Sequence, residues 1–216
     1  QEKIIHMNKH DNLIIEPRKT LSNDFQDILK QDENEFILDI ESIINLEEKT
    51  NYFNDNLNKE YPNICIIGLI IMKNGEYISF KDYTIDDLTI ESEKRNIENW
   101  INFISKYDYI KVYHWGHAEK TYLNNIQKRF YDIKLPKIIL IDLLQYFRSE
   151  PIIIKDCFNF SLKTIGKNMF KHGLIKSTWS DTDNGLDAMI RFKELFLMKD
   201  KNIPIKRYND IAEIIE

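Results

Sequence analysis

Phe36-Ile37-Leu38-Asp39-Ile40-Glu41 sets two acids inside a run that otherwise reads as a buried strand. Side chains alternate faces along a strand, so Ile37, Asp39 and Glu41 share one face while Phe36, Leu38 and Ile40 share the other. The two carboxylates therefore converge. An unpaired buried charge is costly on the scale of a small domain's stability, so such a pair belongs at a strand end around a cation. A donor set made only of oxygens points to a hard ion, magnesium or manganese before zinc.

Outward from this strand the chain reads as alternating strands and helices. Asn45 to Glu60 is a polar loop, Ile64 to Met72 an apolar run, and Tyr77 to Tyr83 a further strand. The Asn74-Gly75 pair between those two runs is a hairpin signal, because both central positions of a type I′ turn need positive φ. Ile90, Ile97, Trp100, Ile101 and Ile104 then recur at helical spacing, and Tyr109 to Trp115 reads as a fourth strand. A helix follows with Ala118, Tyr122, Ile126 and Phe130 on one stripe, broken by Pro136. Lys137 to Leu144 is a fifth apolar run carrying Asp142 near its end. Three more helical patterns follow, at Ser161 to Lys171, Leu186 to Met198 and Ile205 to Ile215. Three strands, helix, strand, helix, strand and helices predict an α/β domain with a mixed five-stranded sheet flanked by helices, over residues 36–216. Residues 1–35, polar with one weak helical pattern at Phe25, Ile28 and Leu29, read as an N-terminal arm.

Composition narrows the function classes. The 216 residues are 43% hydrophobic, enough for a well-filled core in one domain. A net charge of -5 argues against a polycation that coats nucleic acid, so any polyanion site must be local. Cys65 and Cys157 lack ligand spacing and read as free core thiols, which fits a reducing compartment. No apolar run approaches the ~18 residues of a membrane span and no signal pattern opens the chain, so a soluble intracellular protein is expected. The abundance of Asn, Lys and Ile suggests a biased, AT-rich or viral genome rather than disorder, because apolar periodicity runs through it. A first residue of Gln1 rather than Met suggests a piece of a longer protein.

Asp39 and Glu41 need partners, since two divalent ions for phosphoryl chemistry take three or four carboxylates. Glu119, in the first turn of the helix after the fourth strand, is the leading candidate, although the helix dipole alone would favour an acid there. Asp142 at the end of the fifth strand ranks below it, with a cap or loop ligand as the simpler role. Lys163, Lys167 and Lys171 recur at i, i+4 along the Ser161 helix, with Leu162, Ile165 and Met169 turned to the core. That stripe could hold a phosphate backbone beside a metal site, or be only a solvated face. His114, His117 and Trp115 could contact a nucleotide, and packing under the sheet edge is an equal reading for Trp115.

Taken together these motifs resemble the DEDD (DnaQ-like) exonuclease superfamily. Asp39-Ile40-Glu41 resembles its first motif, Asp-x-Glu on the first strand. His114 to Leu123 resembles its second, with Glu119 in place of the usual Asp. The YprB-type ribonuclease H-like domain is closer, resembled in Tyr113-His114-Trp115, Glu119-Lys120-Thr121, Ile141-Asp142-Leu143 and Phe160-Ser161-Leu162-Lys163. The resemblance spans Phe36 to the C-terminus. It implies a ribonuclease H-like fold and a 3′-5′ exonuclease that hydrolyses DNA or RNA, a single-stranded end being its substrate. Asp39, Glu41 and Glu119 would hold magnesium or manganese, with Asp142 a further catalytic candidate and Lys163, Lys167, His114 and His117 on the nucleic acid. A fused or associated helicase, nuclease or polymerase would fit a role in replication or repair. The superfamily's fourth acid, in a Tyr-x-x-x-Asp pattern on its last helix, would follow Glu216; Asp187 is the substitute candidate inside the chain, with a structural role favoured for it. The rival expectation is an inactive module that binds nucleic acid or a protein partner.

Overall fold

A computed structural model describes residues 2–9, 13–16, 34–43, 61–149 and 152–177, together with Ile190 and Glu194. The polar loop of 45–60, the arm pattern around Phe25, Asp187 and the helical pattern at 205–215 lie outside the described residues, as does nearly all of 186–198. In chain order the elements are α1 (Glu2–Lys9), β1 (Ile15–Glu16), β2 (Glu35–Ile43), β3 (Asn63–Lys73), β4 (Glu76–Thr84), α2 (Ile90–Ile104), β5 (Ile110–His114), α3 (Ala118–Arg129), β6 (Ile138–Asp142), α4 (Leu143–Ser149), β7 (Ile153–Ile154) and α5 (Leu162–Lys171).

The main sheet is five-stranded and mixed, in the order β4-β3-β2-β5-β6. β2, β3 and β4 form an antiparallel meander, and β5 and β6 add in parallel beyond β2. The hairpin turn has Asn74 at φ 51 and Gly75 at φ 77, the two positive values that the Asn-Gly pair predicts. Alternation along β2 holds as well: Phe36, Leu38 and Ile40 are buried, whereas Ile37 and Asp39 are open to solvent.

One face of the sheet carries the core, where Phe36, Leu38, Ile40, Ile67, Leu69 and Val112 meet Ile97, Trp100 and Ile104 of α2 and Leu123 and Ile126 of α3. α2 is started by Thr89, whose side chain accepts from the Ser92 amide, satisfying one of the orphan donors of a helix start. A buried ion pair clamps α2 to the far end of α3: Arg129 Nη1 donates to Glu93 Oε1 at 2.7 Å, and Nη2 donates to the other carboxylate oxygen. Glu93 Oε1 also accepts from the Ile64 amide at 2.8 Å, and Arg129 Nη1 donates to the Pro62 carbonyl at 3.1 Å, so the start of β3 joins the clamp.

Four local expectations are corrected. α3 ends at Phe130, whose amide caps back to the Ile126 carbonyl, so Pro136 introduces β6 rather than breaking the helix. Helix α4 begins immediately after Asp142, inside what read as the tail of an apolar run. The N-terminal stretch is not simply a lead-in: Met7 is fully buried, β1 pairs with β7, and Asn8 Oδ1 accepts from the Asp156 amide at 2.7 Å. Leu162 stays exposed instead of entering the core, which Ile165 and Met169 do join. Cys65 and Cys157 are buried free thiols, as read. Among the described residues no helix is long and apolar enough to cross a membrane.

Candidate acidic site

Parallel β5 ends at His114 beside the middle of β2, where Asp39 and Glu41 lie, and the short loop leaving β5 leads into α3, which carries Glu119. Asp39 and Glu41 leave β2 on the face away from the core, and a bulge between Glu41 and Ser42 locally re-aims the strand. α3 crosses the same strand end, its Tyr122 hydroxyl 2.7 Å from Ser42 Oγ, and so delivers Glu119 from its first turn. α5 starts nearby because Trp115, in the loop after β5, donates its indole N–H to the Phe160 carbonyl at 3.1 Å. Ser161 then caps α5 by accepting from the Thr164 amide, which places Lys163 in the first turn.

The electrostatics tie these four side chains into one field. Glu41 is pushed up to about 7, first by burial, then by the Asp39 charge, with Glu119 adding and Lys163 opposing. Asp39 remains reachable by solvent, yet the protein around it penalises its charge, Glu119 repels it, and it too is raised; Lys163 again opposes. Glu119 is buried beside the equally buried His114, Nδ1 to Oε2 at 3.4 Å but poorly aligned. Neither of those two atoms has a hydrogen-bond partner among the described residues. The same residues hold no group of three His, Cys, Asp or Glu side chains close enough to cage an ion as they stand.

A pH dependence follows with a definite sign. Between about 4.5 and 7 the folded chain keeps the Glu41 proton that the unfolded chain has released, so without divalent cations its stability falls as pH rises through that window. Glu41→Gln is expected to flatten the curve, gaining on the order of 2 kcal/mol above the window and nothing below it. Urea unfolding of both proteins across the window checks this, and parallel curves would refute it.

The remaining sequence candidates separate. Asp142 acts as a loop ligand: its Oδ1 accepts from the Gly116 amide at 2.8 Å and the Leu144 amide at 3.0 Å, pinning the turn between β5 and α3 to the end of β6. It supports the acidic site from behind. Trp115 packs edge-on against Phe147 at 5.0 Å and against Ile154, Cys157 and Ile165, so it acts as a half-buried strut. His114, being buried against Glu119, is likewise a support rather than a surface contact, whereas His117 is exposed just before α3. The lysine stripe is not uniform, since Lys163 faces the acids and Lys171 is bound to Asp156 at 2.6 Å. Lys167 is exposed between them.

Sequence reading missed the Ser42–Tyr122 contact and the Glu35 cluster, in which Lys111 Nζ at 3.1 Å and the Tyr113 hydroxyl at 2.6 Å both donate to a buried carboxylate. An opposite charge near the start of each of two apolar strands was the available signal for the latter. No protein-family model and no curated protein matches the chain.

Proposed function

We propose that this chain is a ribonuclease H-like domain that hydrolyses phosphodiester bonds of nucleic acid with divalent cations, acting as a 3′-5′ exonuclease on single-stranded ends. The observation that carries the reading is the shared field of Asp39, Glu41 and Glu119 with one facing cation, Lys163. Carboxylates that repel one another, one with an oxygen buried and unpartnered, form a site with net demand for positive charge. The three-strand meander followed by two parallel strands with intervening helices is compatible with the proposed fold.

The donor chemistry fits magnesium or manganese, which Asp39, Glu41 and Glu119 would hold. Bound there, such ions supply an activated water and charge stabilisation at the leaving oxygen. The chain's own contribution is positional. Asp39 and Glu41 are fixed by the β2 ladder and its bulge, Glu119 by the first turn of α3, and that turn by Asp142 through Gly116. His114 is packed, buried, beside Glu119. Lys163, which faces the acids, would countercharge a scissile phosphate, and Lys167 and exposed His117 would contact the strand.

An inactive module is the second reading, favoured by the lack of a ready three-donor cage among the described residues. The deciding experiment incubates the chain with end-labelled single-stranded DNA and RNA, with manganese, with magnesium and with chelator. Stepwise shortening from the 3′ end that stops on chelation is expected. Binding without cleavage under every metal would support the module, and neither binding nor cleavage would remove both readings.

A further inference from the structure

Beside the acids, on the same face of the sheet, three cross-strand rows stand side by side. Ile37, Ile70 and Phe80 form one, Asp39, Gly68 and Asp82 the next, and Glu41, Ile66 and Thr84 the third. Gly68 leaves a gap in the middle row, and the Phe80 ring leans into it: a Cβ built on Gly68 would meet Phe80 Cε2 at 3.5 Å and the Asp39 carbonyl oxygen at 3.7 Å. An acid and an aromatic ring therefore meet at the Gly68 backbone. Phe80 is 46% exposed and Ile37, at the other end of its row, is 40% exposed, both large for apolar side chains in a sheet.

We infer that Phe80, seated over Gly68, is a stacking platform for an unpaired nucleobase of the strand whose phosphate reaches the acidic site. The inference rests on the nuclease reading and adds to it the subsite that grips a base. A flat, exposed π-face suits every base and needs no hydrogen-bond partner, which gives sequence-tolerant recognition. Charge sorts the strand across the face. Asp82, exposed on the hairpin side with Thr84 donating to its Oδ2 at 3.1 Å, repels phosphates from the Phe80 end, while Lys163 draws them to the Asp39 end. The backbone is thereby directed to the acids and the base to the ring.

The test measures binding of a short oligothymidylate, and of an abasic oligomer of equal length, to the full chain with calcium in place of magnesium. Phe80→Ala is expected to weaken oligothymidylate binding about tenfold and to leave the abasic oligomer unchanged. Phe80→Trp, which keeps an aromatic platform should the smaller residue unsettle the hairpin, is expected to bind as the wild type does. Its fluorescence should be quenched by oligothymidylate beyond any quenching of the wild type. Equal losses on both oligomers with Phe80→Ala, or a Phe80→Trp signal that saturating oligothymidylate does not move, would overturn the platform while leaving the nuclease reading standing. A wild type that binds neither oligomer would overturn both.

Discussion

Asp39→Asn is expected to cut manganese-supported cleavage of single strands by about a hundredfold or more, while leaving the metal-free fold at least as stable as the wild type. Asparagine keeps the volume and the strand but removes the charge, so the change falls on whatever the carboxylate holds. A divalent ion contributes several kcal/mol to stabilising a phosphoryl transition state, and each ~1.4 kcal/mol is tenfold in rate. Stability moves the other way because a source of repulsion among Asp39, Glu41 and Glu119 is gone. The opposed signs separate a functional loss from simple damage to the strand. Single-turnover cleavage beside urea unfolding reads both, and a variant that cleaves at the wild-type rate would take Asp39 out of the site.

The largest stability effect is expected at Arg129, whose guanidinium pairs with Glu93 in a buried clamp reaching Ile64 and Pro62. Arg129→Met leaves the Glu93 carboxylate buried and uncompensated, which costs roughly 3–5 kcal/mol. Replacing both partners, as Glu93→Leu with Arg129→Met, should recover most of that loss, although the Ile64 amide then lacks its acceptor. Denaturant midpoints at constant m-value give the comparison. A single variant within about 1 kcal/mol of the wild type would show that α3 is held by its apolar face alone. Because Arg129 ends the helix that Glu119 begins, the single variant is also expected to disturb the acidic site.

Much of this was legible in the sequence wherever a local rule governs one element. Alternation fixes the faces of Phe36 to Glu41, positive φ fixes the turn at Asn74-Gly75, and a hydroxyl acceptor fixes the start of α5 at Ser161. The acids at 39 and 41 could be singled out because they interrupt one face of an apolar strand, and Glu119 because it sits in the first turn of a helix after a strand. What could not be read depends on contacts between distant segments. Nothing near Glu93 announces Arg129 in a different helix, and Trp115 looks the same in sequence whether it faces a nucleotide or Phe147. Strands of two residues, such as β1 and β7, leave no period to detect, and the α4 helix was hidden because Leu143 and Leu144 continue an apolar strand.

The mixed sheet also dictates an order of events in time. β2, β3 and β4 are joined in sequence and paired as neighbours, so their ladder can close early at small entropic cost. Ser42 and Tyr122, by contrast, meet across 80 residues of chain, and the α5 start is tied to Trp115 across 45. Local pairing is therefore expected to position the acids on β2 before Glu119 and Lys163 arrive. For that interval the nascent chain would present an Asp39–Glu41 pair with no lysine opposite it, so, on the proposed metal site, divalent cations are expected to speed the final docking step in a stopped-flow refolding trace.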